Sequence, residues 1–314
     1  MPRPKLKTVT RTQGNNAAFK NGTVQPRTFE PEFVEVEPLI AAFRRQVRAS
    51  EFDICEMAIT TYICAKAHGK PMTAIPVPLV RQFHHGAILA SARAGITSPK
   101  DLEGKKVGVN RGYTVTTGVW ARGILAEEYG VDLEKITWVL SGDEHVAEYK
   151  PPQNVVPIGA GRKMDEMLVS GELAAAIGVD IEHADVKPLI PDALDAGLAA
   201  YAARGHYPIN HLVVIRDDLL TKHPDLASDV FDAFAESKRL YVENLKAGRI
   251  GKLDAYDKVH QRIIAAGGDP LPYGIAPNRR VIEELMRHAV RQGIIDKPMA
   301  VDDLFAPSTR GLVG

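Results

Sequence analysis

Short apolar runs of strand length alternate with helical patterns along most of this chain, and the alternation starts twice. The first series begins with the alternating segment KTVTRTQ (7–13), closed by the turn signal GNN. FVEVEP (33–38) follows, then the apolar FDICEMAI (52–59). Between them, Leu39, Ile40, Phe43 and Val47 recur at helical spacing, and TTYICAKAHGK reads as a helix with Thr60 or Thr61 near its N-cap and Gly69 just past its end. PMTAIPVPLV and FHHGAILAS read as further strands. From residue 90 the pattern begins again, with a capped helix in SPKDLEG, a strand in KKVGVN, a Gly/Thr turn in RGYTVTTG and a helix in VWARGILAEEYG. ITWVL, ELAAAIGVD and LVVIRDDLL (212–220) read as strands, GRKMDEMLVSG as a helix. After residue 220 come two long helical stretches with no strands of their own, so they must cover a sheet already built.

Strands alternating with helices predict α/β lobes with largely parallel sheets. Two starts and a late return predict two lobes, one formed by 1–88 and 211–314, the other by 89–210. That is the layout of a type II periplasmic-binding-protein-like fold, with a ligand cleft between lobes at the carboxyl ends of the strands. A chain of 314 residues is long enough for two cores.

Several functions are disfavoured. Lys and Arg number 39, as do Asp and Glu, which gives no support to nucleic-acid binding. No apolar run approaches the ~20 residues of a membrane span. The N-terminus, MPRPKLKTVTRTQGNN, is basic without an apolar core, so a cytoplasmic location is expected. Cys55 and Cys64 are nine apart, a spacing that suits neither a redox pair nor zinc. IGAGRKM (158–164) has Met164 where a dinucleotide fingerprint needs a third glycine.

The residues with chemical potential gather in four places. If RQFHHGA (81–87) is extended, Arg81, Phe83 and His85 share one face, as anion clamp, aromatic wall and proton donor. His84 then points to the other face. The turn at 111–118 precedes a helix whose free N–H groups suit an anion, with Arg111, Tyr113, Thr114, Thr116 and Thr117 as extra donors. Trp120 reads as core, and Arg122 as either a solvated helix residue or a ligand contact. His206 and His211 flank Pro208 near the return crossover. Glu56, inside an apolar strand, needs a partner.

The chain resembles the 4,5-dihydroxyphthalate decarboxylases in FDICEMAITTY (52–62), AIPVPLVRQFHHG (74–86), DLEGKKVGV (101–109), VWARGIL (119–125), HYPINHLVVIRDDL (206–219), PYGIAPNRRVIEEL (272–285) and DLFAPST (303–309). DLEGKKVGV alone is common among solute-binding proteins; the combination is far more specific. The resemblance implies a carboxy-lyase of aromatic-compound degradation acting on a hydroxylated aromatic dicarboxylate, and makes self-association plausible. Its members tend to carry arginine where this chain has His84, and their turn before the tryptophan-bearing helix differs, which places the exact substrate in doubt. The implied assignment takes His85 and His211 as proton donors and Arg81, Phe83, His84, Arg111, Tyr113, Thr116, Thr117, Arg122, Glu56 and Thr60 as substrate contacts. No cofactor is expected, with a divalent metal on His85, His211 and Glu56 left open. The alternative is a protein that binds a small carboxylate without chemistry.

Overall fold

In the computed structural model, residues 3–314 are described; the first two residues of the basic N-terminal stretch lie outside. The chain forms two compact units. Of the described residues, the first comprises 3–82, 209–283 and 299–314, the second 83–208 and 284–298. Both crossovers thus fall a few residues before the expected 88/89 and 210/211, and a C-terminal segment expected in the first lobe belongs to the second unit.

In the first unit the parallel strands β1 (Lys5–Val9), β2 (Glu30–Phe33), β3 (Ile54–Ala58) and β4 (Met72–Arg81) join β11 (Ile209–Arg216) in the order β2-β1-β3-β11-β4. β11 alone runs antiparallel. The helices are α1 (Ala17–Lys20), α2 (Ile40–Ala49), α3 (Ile59–Ala67), α7 (Asp217–Lys222), α8 (Leu226–Lys246), α9 (Ala255–Ala265) and the start of α10 (Arg279–Arg291). The apolar stripe of α8 is the reason it stays down on the sheet. Val230, Phe231, Phe234 and Tyr241 pack with Ile54, Ile75, Val77 and Val213 in one buried cluster.

The second unit contains β5 (Ile88–Ser91), β6 (Lys106–Val109), β7 (Thr137–Leu140), β8 (Val155–Pro157), β9 (Ala175–Ile177) and β10 (Val186–Pro188). Their order is β10-β5-β9-β6-β7-β8, with β5 antiparallel to β9 and β10. Its helices are α4 (Thr116–Tyr129), α5 (Met164–Ser170) and α6 (Ala193–Arg204). The two sheets share one plan. Each has a single reversed strand next to its last, and that strand follows directly on a crossover from the other unit.

Local punctuation behaves as the residues dictate. Gly130 and Gly171 end α4 and α5 in the left-handed conformation, which glycine adopts without a Cβ penalty. Ser98 and Asp101 close a capping box at the short helix 99–102. Three expectations need correction. The second strand is centred on 30–33 rather than 33–38. Thr60 and Thr61 lie within the first turn of α3, after Ala58 at the cap. β4 stops at Arg81, and His85–Ala87 form a 3-10 turn, so the strand alternation invoked for 81–87 does not exist.

Candidate functional site

The carboxyl ends of β1, β3 and β4 and the start of β11 lie along one edge of the first unit's sheet. His211 pairs with Ala58 across β11 and β3, which puts it diagonal to Glu56 on the same face. His211 Nδ1 lies 2.7 Å from Glu56 Oε1. The other oxygen, Oε2, accepts from the Thr10 hydroxyl at 2.8 Å and from the Arg11 amide at 3.0 Å. Asn16 donates to Thr10 Oγ1 at 2.9 Å and so orients that hydroxyl. A buried carboxylate that accepts from three donors fixes the imidazole by its Nδ1–H and leaves Nε2 as the reactive nitrogen. Glu56 is fully buried, whereas the His211 side chain is 20% exposed, with Phe43 edge-on to its ring at 5.1 Å. The pairing is that of a general acid or base with an orienting carboxylate.

Arg81 ends β4 opposite Ile209, two residues from His211. It is 4% exposed and donates from Nη1 to Asn278 Oδ1 at 2.8 Å. Asn278 is itself held by the Pro272 and Gly274 carbonyls. Thr60 is buried in the first turn of α3. A polar cavity of about 250 Å³ adjoins this edge. Arg11 and Arg81 line it, with Gln13, Asn15, Tyr241 and His260. Sequence reasoning missed Arg11 and His260; their approach depends on contacts between distant segments, which leave no local pattern.

In the second unit the expected residues have other surroundings. Phe83 stacks on Tyr207, ring centres 5.1 Å apart, and fits over Gly197, where a Cβ would come within 2.6 Å of its ring. His84 is fully buried just before the 3-10 turn. His85, also fully buried, bonds through Nε2 to both Glu128 oxygens at 3.0 and 3.2 Å, and Arg204 shares that carboxylate. The shared face proposed for Arg81, Phe83 and His85 rested on a strand that ends at Arg81, and Phe83 and His85 are packed inside the second unit.

A second histidine group lies near His85. His206 Nδ1 is 2.8 Å from Glu284 Oε1, its ring is edge-on to His85 at 6.0 Å, and Trp120 packs against both His206 and His288. Burial pushes the Glu284 and Glu128 carboxyls up. Hydrogen bonds from His206 and His288, and from His85 and Arg204, outweigh it and hold both below the usual range. Among the described residues, the group spaced to share a cation is Glu127, Glu284 and His288. Of the residues considered for a metal, His85 is engaged by Glu128, and Glu56 holds His211.

The Gly/Thr turn is partly filled by the protein itself. Glu144 accepts from the Tyr113 amide, from the Thr114 amide at 3.1 Å and from the Thr114 hydroxyl at 2.6 Å. Gly112 permits this approach, because a Cβ there would lie 2.7 Å from the carboxylate. Arg111 takes a left-handed φ of 74°, and its amide donates to Ser141 Oγ at 2.7 Å. Arg111 as a whole residue is exposed, yet partial burial of its guanidinium lowers its pKa; Thr116 and Thr117 lie in the first turn of α4. Arg122 is neither solvated nor at a ligand surface. It is fully buried, donates to Gln292 at 2.8 Å and to the Tyr113 carbonyl at 2.6 Å, and lies 3.7 Å above the Tyr113 ring. Burial lowers its pKa.

The fold and its sites define a class. The NMT1/THI5-like family model matches residues 44–244. The periplasmic aliphatic sulphonate binding protein of Escherichia coli superposes with a TM-score of 0.53 at 13% identity, covering 96% of this chain and 91% of that one. The architecture is therefore periplasmic-binding-protein-like. A 4,5-dihydroxyphthalate decarboxylase of Comamonas testosteroni is 31% identical over 306 residues, covering 92% of each chain. Another of that name from Pseudomonas putida is 36% identical over 166 residues, covering 50% of this chain and 64% of its own. The chain belongs to the 4,5-dihydroxyphthalate decarboxylase family. Among the described residues, no helix is long and apolar enough to cross a membrane.

Proposed function

We propose that this chain is a carboxy-lyase that removes one carboxylate from 4,5-dihydroxyphthalate as CO2 and leaves 3,4-dihydroxybenzoate. The observation that carries the chemistry is the His211–Glu56 pair at the sheet edge beside Arg81. Each carboxylate of this substrate has a hydroxyl para to it, so ionisation of that hydroxyl raises electron density at the carbon bearing the carboxylate. His211, protonated on both nitrogens, gives its Nε2 proton to that carbon and takes up another from solvent after turnover; the C–CO2 bond breaks, and the electron pair of that bond restores the aromatic ring. The net change is one proton gained and one CO2 lost, with no oxidant. Arg81 and Arg11 supply the charge that anionic carboxylates need, Arg81 from a site that is almost dry. His85, by contrast, is buried against Glu128, which supports a structural role for it.

The decisive test is incubation of purified protein with 4,5-dihydroxyphthalate and identification of the product. Formation of 3,4-dihydroxybenzoate with an equal amount of CO2 is expected. Recovery of the unchanged dicarboxylate in a stable complex would instead favour the binding-protein reading, which rests on fold alone.

A further inference from the structure

The 250 Å³ cavity contains a group that the scheme above does not use. Tyr241, on α8, has its hydroxyl 2.6 Å from Asp257 Oδ1 and 2.8 Å from His260 Nδ1, both on α9. Asp257 also accepts the Asp254 amide at 3.0 Å, so its carboxylate acts as acceptor throughout. The single Tyr241 proton goes to Asp257. The contact with His260 must then be made by an Nδ1–H that donates to the tyrosine oxygen. A neutral His260 therefore carries its proton on Nδ1 and offers the lone pair of Nε2. Tyr241, Asp257 and His260 are each under a tenth exposed, so this tautomer is held by packing as well as by bonding.

The charged groups around His260 act in opposite directions. Burial lowers its pKa to about 4, with the charge of Arg81 adding to the effect; Asp257, Asp254 and Asp269 oppose it. The ring is thus neutral near pH 7. The walls of the cavity bring together a hydrogen-bond acceptor of fixed tautomer and two arginines, Arg11 and Arg81. The amide of Arg11, a residue of the cavity wall, also donates to the carboxylate that holds His211.

We infer that His260 selects for a ring hydroxyl, accepting its proton in a hydrogen bond while Arg11 and Arg81 receive the carboxylates of the same ligand. This rests on the decarboxylase reading for the identity of the ligand and adds to it the residue that distinguishes a hydroxylated dicarboxylate from a plain one. A site that hydrogen-bonds a ligand hydroxyl rejects the analogue without it, since its buried polar group is left unpaired.

The experiment is a calorimetric titration of the full chain with 4,5-dihydroxyphthalate and with phthalate. His211→Asn serves as the parent, so that the first ligand is not consumed. The parent is expected to prefer the dihydroxy compound by about tenfold or more. His260→Leu should reduce that preference to near parity by weakening the dihydroxy compound alone. Tyr241→Phe, which keeps the imidazole but removes its partner, should narrow the preference without changing phthalate affinity; it carries the test if His260→Leu does not fold. A preference that persists in full in either variant overturns the inference, as does a parent with no preference or no binding. Release of CO2 by the unmodified chain separates the two claims. Turnover with a preference independent of His260 keeps the decarboxylase reading and removes this one. A His260-dependent preference without turnover does the reverse.

Discussion

The role proposed for His211 rests on what holds it. Its partner Glu56 lies 155 positions away in sequence and is fully buried, with Thr10 and the Arg11 amide completing its hydrogen bonds. Replacing His211 with Asn should lower kcat by roughly 10²–10⁴-fold, the usual contribution of a positioned acid or base. The circular dichroism spectrum should be unchanged. Glu56→Gln should lower kcat by about tenfold or more with little effect on KM and should alter the pH–rate profile, because it disturbs the orientation of the imidazole rather than substrate contact. A wild-type profile in Glu56→Gln would remove it as a positioning residue. His211 and Glu56 were each conspicuous in the sequence, the first for its chemistry and the second as a charge in an apolar strand. Their pairing was not legible there, because strand register across β3 and β11 creates it. His85 shows the opposite case: it has the right chemistry, but Glu128 and Arg204 enclose it in the second unit.

At the scale of elements, alternation and punctuation were readable where hydrogen bonding is local. Helix ends at glycine, the capping box at 98–101 and the stripe of α8 all follow from near neighbours. The stretch after Arg81 was misread because its apolar and polar residues mimic a strand. The chain leaves the first sheet there, and Phe83 is instead required against Tyr207 and Gly197. The turn at 111–118 was rightly placed between a strand and a helix, but Glu144 comes from a loop with no pattern of its own. Arg122 ties α4 to Gln292, just past the end of α10, which in turn donates to the Val119 carbonyl at 2.9 Å. Arg122→Met should therefore destabilise the protein by about 2–4 kcal/mol, the value of one or two hydrogen bonds from a charged group, read as a lower Tm. Arg122→Lys should not restore it, since an ammonium cannot reproduce the fork that reaches both partners. Equal Tm values for all three proteins would show that the brace contributes nothing.

Part of the pH dependence of the whole molecule arises in the second unit. Glu128 and Glu284 both titrate below their ordinary value of 4.5 in the folded state. Their contribution to stability is complete above that value and is lost as pH falls through their depressed folded values, where the unfolded chain takes up protons first. Tm measured from neutral pH downward should decline below about pH 4.5, and Glu284→Gln should flatten part of that decline. An identical slope in the variant would show that Glu284 is not responsible. The two-unit plan itself followed from two starts of the strand–helix alternation and the strand-free helices after residue 220. The exact division did not, since α10 passes from the first unit into the second at 283/284 without any break in helical pattern. The central claim is that the His211–Glu56 pair decarboxylates a hydroxylated aromatic dicarboxylate. Its most direct test is the rate of CO2 release from 4,5-dihydroxyphthalate by the unmodified chain and by His211→Asn. The account predicts steady release by the first and a rate at least about a hundredfold lower in the second; no release by the unmodified chain, or equal rates in both, would contradict it.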